Sequence, residues 1–79
     1  MRTVTLFTRE GCHLCAEAEA ALARLAREEV FALERVDIES DDALLKRYLE
    51  RIPVVALEGE ELFDFEVDVE RLRHKLRPR

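Results

Sequence analysis

The two cysteines of this chain, Cys12 and Cys15, are separated by two residues, and the 79-residue sequence contains no others. A disulfide between them would close a loop of four residues. The chain-entropy model assigns such a loop only about 2 kcal/mol before strain is subtracted. Because this bond would join no distant segments, the chain has to be stabilised by its own small core. The spacing is therefore typical of redox chemistry or metal binding rather than of a structural crosslink.

The residues around the cysteine pair predict alternating strands and helices. A β-branched and aromatic run at residues 3–7 predicts a first strand, and residues 12–28, without glycine or proline, predict a long helix. Helical spacing predicts a buried stripe on this helix, formed by Leu14, Ala18, Leu22 and Leu25. The next predicted elements are a strand at 31–38 and a helix that Ser40 caps. The apolar face of this helix is formed by Leu44, Leu45, Tyr48 and Leu49. Strands at 52–57 and 61–65, joined by a turn, and a last helix at 69–76 capped by Asp68 complete the chain.

This β-α-β-α-β-β-α order predicts one α/β domain spanning residues 1–79. The first two strands should be parallel with a right-handed crossover, and the last two should form a hairpin. Helices must then cover both faces of the sheet to bury it.

The charge balance limits the class of partner. Eighteen acidic residues exceed thirteen basic ones, which gives a net charge of −5. Nucleic acid is not expected as a partner, because phosphate contacts need clustered positive charge. No segment approaches the roughly 20 apolar residues of a membrane span, and the N-terminal apolar stretch is too short for a signal peptide. We therefore expect a cytoplasmic protein that does not associate with membranes.

The position of Cys12 points to nucleophilic chemistry. It lies where the first strand ends and the helix begins, and the free N–H groups and dipole of a helix N-terminus favour a thiolate. Cys15, one turn later, could attack a mixed disulfide formed on Cys12 and release the product. Arg9 could add positive potential over the sulfur, and so could His13 if it is protonated.

Pro53 marks a second candidate part of the site. It lies at the start of the third predicted strand, at the same end of the sheet as Cys12, and an X-Pro bond in a sharp turn is a candidate for the cis form. A cis Ile52–Pro53 bond would leave the N–H and C=O groups of Ile52 free to pair with an extended substrate backbone.

Zinc binding is the alternative for the cysteine pair. A closed zinc site needs four ligands, and the chain adds only His13, next to Cys12, and His74, far along the sequence. We predict no metal site, and we interpret the acidic runs near residues 41–42 and 58–61 as cap and turn positions.

The cysteine motif after the first strand, followed later by Ile52-Pro53-Val54-Val55, resembles glutaredoxin-like proteins of the thioredoxin-fold superfamily, in particular a small bacterial group with a Cys-x-Leu-Cys motif. The resemblance implies a four-stranded mixed sheet of order 2-1-3-4, with helices one and three on one face and helix two on the other. It also implies that Cys12 is the nucleophile, Cys15 the resolving thiol and Pro53 a cis proline. Arg9 matches a basic residue that commonly meets a glutathione carboxylate, whereas the glycine pair expected after strand four is absent.

We therefore predict a monomeric thiol–disulfide oxidoreductase that transfers electrons without a bound cofactor. Its substrate would be a protein disulfide or a glutathione mixed disulfide. The reductant would be glutathione or a thioredoxin-reductase-type enzyme. Arg9, Ile52 and Pro53 are the predicted substrate contacts. The alternative is a non-catalytic thioredoxin-fold module that binds a metal or cluster, or acts as an adaptor.

Overall fold

The computed structural model describes residues 1–77, and the last two residues of the predicted domain, Pro78 and Arg79, lie outside the described residues. The elements follow the predicted β-α-β-α-β-β-α order. Their bounds are β1 Thr3–Thr8, α1 His13–Leu25, β2 Ala32–Asp37, a 3₁₀ turn Ile38–Ser40, α2 Asp42–Tyr48, β3 Val54–Leu57, β4 Glu60–Asp64 and α3 Val69–Leu76. No helix within the described residues has the length and apolar character needed to cross a membrane.

The four strands form one mixed sheet in the order β2-β1-β3-β4, as predicted. β1 pairs with β2 in parallel, and β3 is antiparallel to both β1 and β4. The β3–β4 hairpin turns through Glu58 and Gly59, which both have positive φ angles, of 51° and 85°. A two-residue turn of this kind matches the right-handed twist of the strands it joins, and glycine adopts its second position without a steric penalty.

Each face of the sheet carries its own apolar cluster, which confirms that helices cover both faces. α1 and α3 pack on one face, and the buried side chains of this cluster are Val4, Leu6, Ala18, Leu22, Leu25, Phe31, Val55, Leu57, Leu72 and Leu76. α2 lies on the other face, where Ile38, Tyr48 and Val54 are buried. All four residues of β3 are buried, as expected for a central strand covered on both sides.

The predicted apolar stripe of α1 was confirmed at three of its four residues and was wrong at Leu14. The buried residues are Cys15, Ala18, Leu22 and Leu25, whereas Leu14 is 47% exposed. Because Cys12 caps the helix and His13 begins it, the face that meets the sheet starts at Cys15. The helix also ends at Leu25, three residues before the predicted end at Glu28, and continues into turns.

The predicted cap of α2 was also wrong. Asp41 is the N-cap, and its carboxylate accepts the Ala43 N–H at 2.7 Å. The Ser40 hydroxyl instead donates to the Asp37 carbonyl at 2.6 Å, because Ser40 closes the preceding 3₁₀ turn. Leu49, predicted on the apolar face of α2, lies just beyond the helix and is 42% exposed.

Candidate functional site

Cys12 occupies the N-cap of α1, as its position in the sequence predicts. Its Sγ accepts a hydrogen bond from the Cys15 N–H at 3.2 Å. The chain reaches this position through a tight turn in which the Cys12 N–H donates to the Arg9 carbonyl at 3.2 Å. Gly11 has a φ of +82° within this turn, a conformation that glycine adopts without a Cβ clash. The sulfur of Cys12 therefore lies at the positive end of the helix dipole.

Cys12 and Cys15 are joined as a disulfide, with their Cα atoms 5.2 Å apart. The two cysteines differ sharply in exposure. Cys15 is 1% exposed, whereas Cys12 is half-buried. An incoming molecule can thus reach the first sulfur, while the second is accessible mainly from the first. This asymmetry is what a pair with one attacking and one resolving thiol requires.

A cavity of about 340 Å³ opens beside Cys12, at the carboxyl ends of the parallel strands β1 and β2. Its lining residues are Thr8, Arg9, Glu10, Gly11, Cys12, Ala16, Glu19, Arg35 and Asp37. Two arginines flank this cavity, each paired with an acid. Arg9 lies 3.4 Å from Glu39, and Arg35 lies 3.0 Å from Glu19. Glu10 and Asp37 also line the cavity, so its acidic side chains outnumber its two arginines.

Arg35 was missed by the sequence interpretation. The available signal was the parallel crossover, which brings the ends of β1 and β2 to the same edge of the sheet. A basic residue near the end of β2 is thereby placed close to the end of β1 and the cysteine loop.

His13 does not lie in the position that the predicted tuning of the Cys12 sulfur requires. Its side chain is 90% exposed, and its Nε2 lies 3.2 Å from the Glu17 carboxylate one helical turn later. The positive charge of a protonated His13 would be offset by the Glu17 carboxylate and screened by solvent. Among the described residues, the ionic contact of His13 is with Glu17 and not with the Cys12 sulfur.

Ile52 and Pro53 lie at the same end of the sheet as the cysteine loop, because Phe7 pairs with Val54 and the next residues are Thr8 and Pro53. The Ile52–Pro53 peptide bond is cis. The prediction that the Ile52 N–H is free was wrong, since it donates to the Tyr48 carbonyl at 3.0 Å. The cause is the end of α2, where the turn after Tyr48 uses this N–H to satisfy a helix carbonyl.

A second opening, the Leu14–Phe65 groove, runs between α1 and the loop after β4, with a volume of about 470 Å³. Its lining residues are Leu14, Glu17, Ala18, Ala20, Ala21, Arg24, Phe65, Glu66 and Val67. Leu14, between the two cysteines, and Phe65 are the exposed apolar side chains, at 47% and 51%. The sequence interpretation assigned Leu14 to the core and Phe65 to a strand, so this groove was not foreseen.

Phe65 is held in an unusual backbone conformation. Its φ is +66°, which is rare for a bulky residue. Its N–H is directed at the Pro53 carbonyl, 2.8 Å away, and at the Arg51 carbonyl, 3.3 Å away. The loop that carries one wall of the groove is therefore tied to the segment containing Pro53.

A network of charged side chains lies behind this loop, centred on Glu61. The Glu61 carboxylate accepts hydrogen bonds from Arg51 at 2.6 Å, Tyr48 at 2.8 Å and Arg47 at 3.0 Å. Arg51, together with Tyr48, lowers the pKa of Glu61 to about 2. Burial raises the pKa of the Tyr48 hydroxyl, which stays protonated and donates to Glu61. Glu61 is therefore held in its ionised form between α2 and β4, where Arg47 and Arg51 balance its charge.

Metal-ligating side chains do not cluster in the part of the chain that the structure describes. No group of three or more histidine, cysteine, aspartate or glutamate side chains has the arrangement needed to hold an ion there. His74 lines a separate cavity with Arg2, Leu57 and residues of α3.

Comparison with known proteins places these features in a family. The family model described as Glutaredoxin-like domain (DUF836) matches residues 3–77. The chain is 42% identical to protein XcR50 from X. campestris, with a TM-score of 0.73 over 95% of this chain and 99% of that one. It is 33% identical to protein Ne2328 from Nitrosomonas europaea, with a TM-score of 0.83 over 96% of this chain and 92% of that one. A mutant thioredoxin from Halobacterium salinarum is 22% identical, with a TM-score of 0.69 over 95% of this chain and 71% of that one, which shows a shared fold.

Proposed function

The chain belongs to the glutaredoxin-like domain family, and on that premise we propose that it is a thiol–disulfide oxidoreductase with Cys12 as the attacking thiol and Cys15 as the resolving thiol. The observation that carries this proposal is the placement of Cys12. Its sulfur accepts an N–H bond at the N-terminus of α1 and is the more accessible of a disulfide-forming pair. The first feature favours the thiolate form of Cys12, and the second gives a substrate access to it.

The proposed reaction has two exchange steps. In the reduced protein, the Cys12 thiolate attacks one sulfur of a substrate disulfide, forms a mixed disulfide and expels the other substrate sulfur, which takes up a proton. The Cys15 thiol then loses its proton and attacks the Cys12 sulfur, which releases the second substrate thiol. The substrate gains two electrons and two protons, and the protein is left with its Cys12–Cys15 disulfide.

An external thiol reductant must then restore the two protein thiols. Glutathione and a thioredoxin-reductase-type enzyme are the two candidates, and no bound cofactor is needed for the exchange itself. The proposed location is the cytoplasm, where such reductants maintain thiols in the reduced form.

The surroundings of Cys12 offer contacts for two kinds of substrate. Arg9 and Arg35 line the cavity and can exchange their present acidic partners for the carboxylates of glutathione. The Leu14–Phe65 groove suits an apolar side chain of a protein substrate. The Ile52 carbonyl can accept a hydrogen bond from a substrate N–H. Among the backbone hydrogen bonds of the turns, loops and caps of the described residues, none uses this carbonyl as its acceptor.

The test is a pair of reduction assays on the wild-type protein and two single variants. Cys12→Ser should abolish reduction of insulin and of a glutathione mixed disulfide. Cys15→Ser should abolish insulin reduction and keep the single-thiol reaction with the glutathione mixed disulfide. Regeneration should be measured separately with glutathione and with a thioredoxin-reductase-type enzyme, because only one of them needs to be the reductant.

Titration of the Cys12 thiol by the pH dependence of its alkylation is the companion measurement. A pKa clearly below the free-thiol value of about 8.5 supports the proposed enzyme. An unshifted pKa together with no turnover, or a metal retained through purification, would instead favour the non-catalytic binding module.

A further inference from the structure

We propose that Arg51 is a positioning residue for substrate binding, because its guanidinium fixes the end of β4 and thereby holds Phe65 in the wall of the Leu14–Phe65 groove. This inference rests on the proposed exchange reaction for its kinetic test. Its structural part, the control of Phe65 by Arg51, stands on geometry alone.

The side chain of Arg51 clamps β4 at two points. Its Nε and Nη2 each lie 3.1 Å from one oxygen of Asp64, a bidentate pair. The same Nη2 lies 2.6 Å from Glu61. Arg51 is one-third exposed, so solvent only partly weakens these charge-assisted bonds. The planar guanidinium thus fixes the direction of the strand end as well as its distance.

The main chain of the same segment holds the next residue. Phe65 follows Asp64 directly, and its N–H is directed at the carbonyls of Pro53 and Arg51. These bonds keep Phe65 at a φ of +66°, a conformation that a bulky residue maintains only when its surroundings enforce it. The Asp64 clamp fixes the strand end that carries the Phe65 N–H, so without it these two main-chain bonds weaken, Phe65 relaxes towards negative φ, and its ring leaves the position opposite Leu14.

Arg47 is a natural control for Arg51. Both donate to Glu61, and both guanidinium groups lie near the Tyr48 ring, with carbon-to-centroid distances of 5.5 Å for Arg47 and 5.3 Å for Arg51. The described side-chain contacts of Arg47 do not include Asp64. Removing Arg47 therefore perturbs the same carboxylate and the same aromatic ring without releasing the loop.

The experiment compares Arg51→Ala, Arg51→Lys and Arg47→Ala with the wild-type protein. Arg51→Ala should raise KM for insulin about tenfold with little change in kcat, whereas Arg47→Ala should stay within about twofold of wild type. Arg51→Lys should recover only part of the loss, since an ammonium group cannot form the bidentate pair. Reduction of 2-hydroxyethyl disulfide and the reduction potential of the cysteine pair should stay unchanged, because neither depends on the groove.

A double-mutant cycle tests whether Arg51 acts through Phe65. Phe65→Ala should raise KM for insulin by a similar factor, and the double variant should be no worse than Phe65→Ala alone. Additive losses would overturn the proposal, because they would mean that Arg51 acts by another route. Equal losses of activity towards insulin and the small disulfide would also overturn it.

Amide hydrogen exchange separates failure of this inference from failure of the proposed function. In Arg51→Ala the Phe65 amide should exchange about tenfold faster or more, and in Arg47→Ala it should keep its wild-type protection. If the wild-type protein catalyses no exchange at all, this measurement still decides the structural claim. Unchanged protection of Phe65 in Arg51→Ala would refute it.

Discussion

Replacing Glu61 by glutamine should remove a pH-dependent part of the folding free energy. Hydrogen bonding to Arg51, then to Tyr48, lowers the pKa of Glu61 from 4.5 to about 2. At about 1.4 kcal/mol per pKa unit, this difference corresponds to at most about 3.4 kcal/mol of stabilisation of the folded state. Because the side chain is 25% exposed, solvent screening should leave on the order of 1–2 kcal/mol.

The pH window follows from the direction of the shift. A carboxyl group with a lowered pKa in the folded state stabilises the protein fully above its unfolded value of 4.5, and this stabilisation is lost as the pH falls towards about 2. The unfolding free energies of wild type and Glu61→Gln, measured by urea unfolding between about pH 7 and pH 2, should therefore give two curves against pH. They should differ most above about pH 5 and converge near pH 2.

Glu60→Gln is the matched control, since Glu60 is the exposed neighbour on the same strand. Its unfolding free energy should stay within about 0.5 kcal/mol of wild type across the range. A difference between wild type and Glu61→Gln that stays constant with pH would refute the electrostatic reasoning, because it would indicate lost packing instead of a lost charge.

Three further substitutions test the core, a helix cap and the sulfur environment. Leu22→Ala, at a site with no exposure, should lower the unfolding free energy by about 2–5 kcal/mol, whereas exposed Leu49→Ala should change it by less than about 0.5 kcal/mol. Asp68→Ala should cost about 1 kcal/mol in the same denaturation assay, because Asp68 caps α3 by accepting the Arg71 N–H at 3.0 Å. His13→Gln should move the Cys12 thiol pKa, measured by alkylation rates, by less than about 0.5 unit, because its imidazole faces Glu17 and solvent. A larger shift would restore the tuning role that the sequence suggested.

Local signals in the sequence determined the order of elements. The β-branched run before Cys12, the unbroken helical segment after it and the cap at Asp68 each depend on residues close in the chain. The sheet order followed from the family resemblance, and the structure confirms it. The position of Cys12 at the helix start was predictable for the same reason, because the strand, the loop and the helix are consecutive.

Exposure of individual side chains was less predictable. Leu14 satisfies the helical spacing of a core residue, yet the helix begins at His13 and turns Leu14 towards the groove. Ser40 and Asp41 are both good caps, and only the 3₁₀ turn before α2 decides between them. One residue of shift is enough to exchange a buried position for an exposed one.

The sequence by itself determined where the cysteine pair lies, because the junction of a strand and a helix depends only on neighbouring residues. Tertiary structure alone decided what surrounds the sulfur. Arg35 reaches the cavity through a parallel crossover, and Phe65 reaches the groove through contacts with Arg51 and Pro53, more than ten residues earlier in the chain. Such contacts form only when the strands pair, and no local pattern of residue types encodes them.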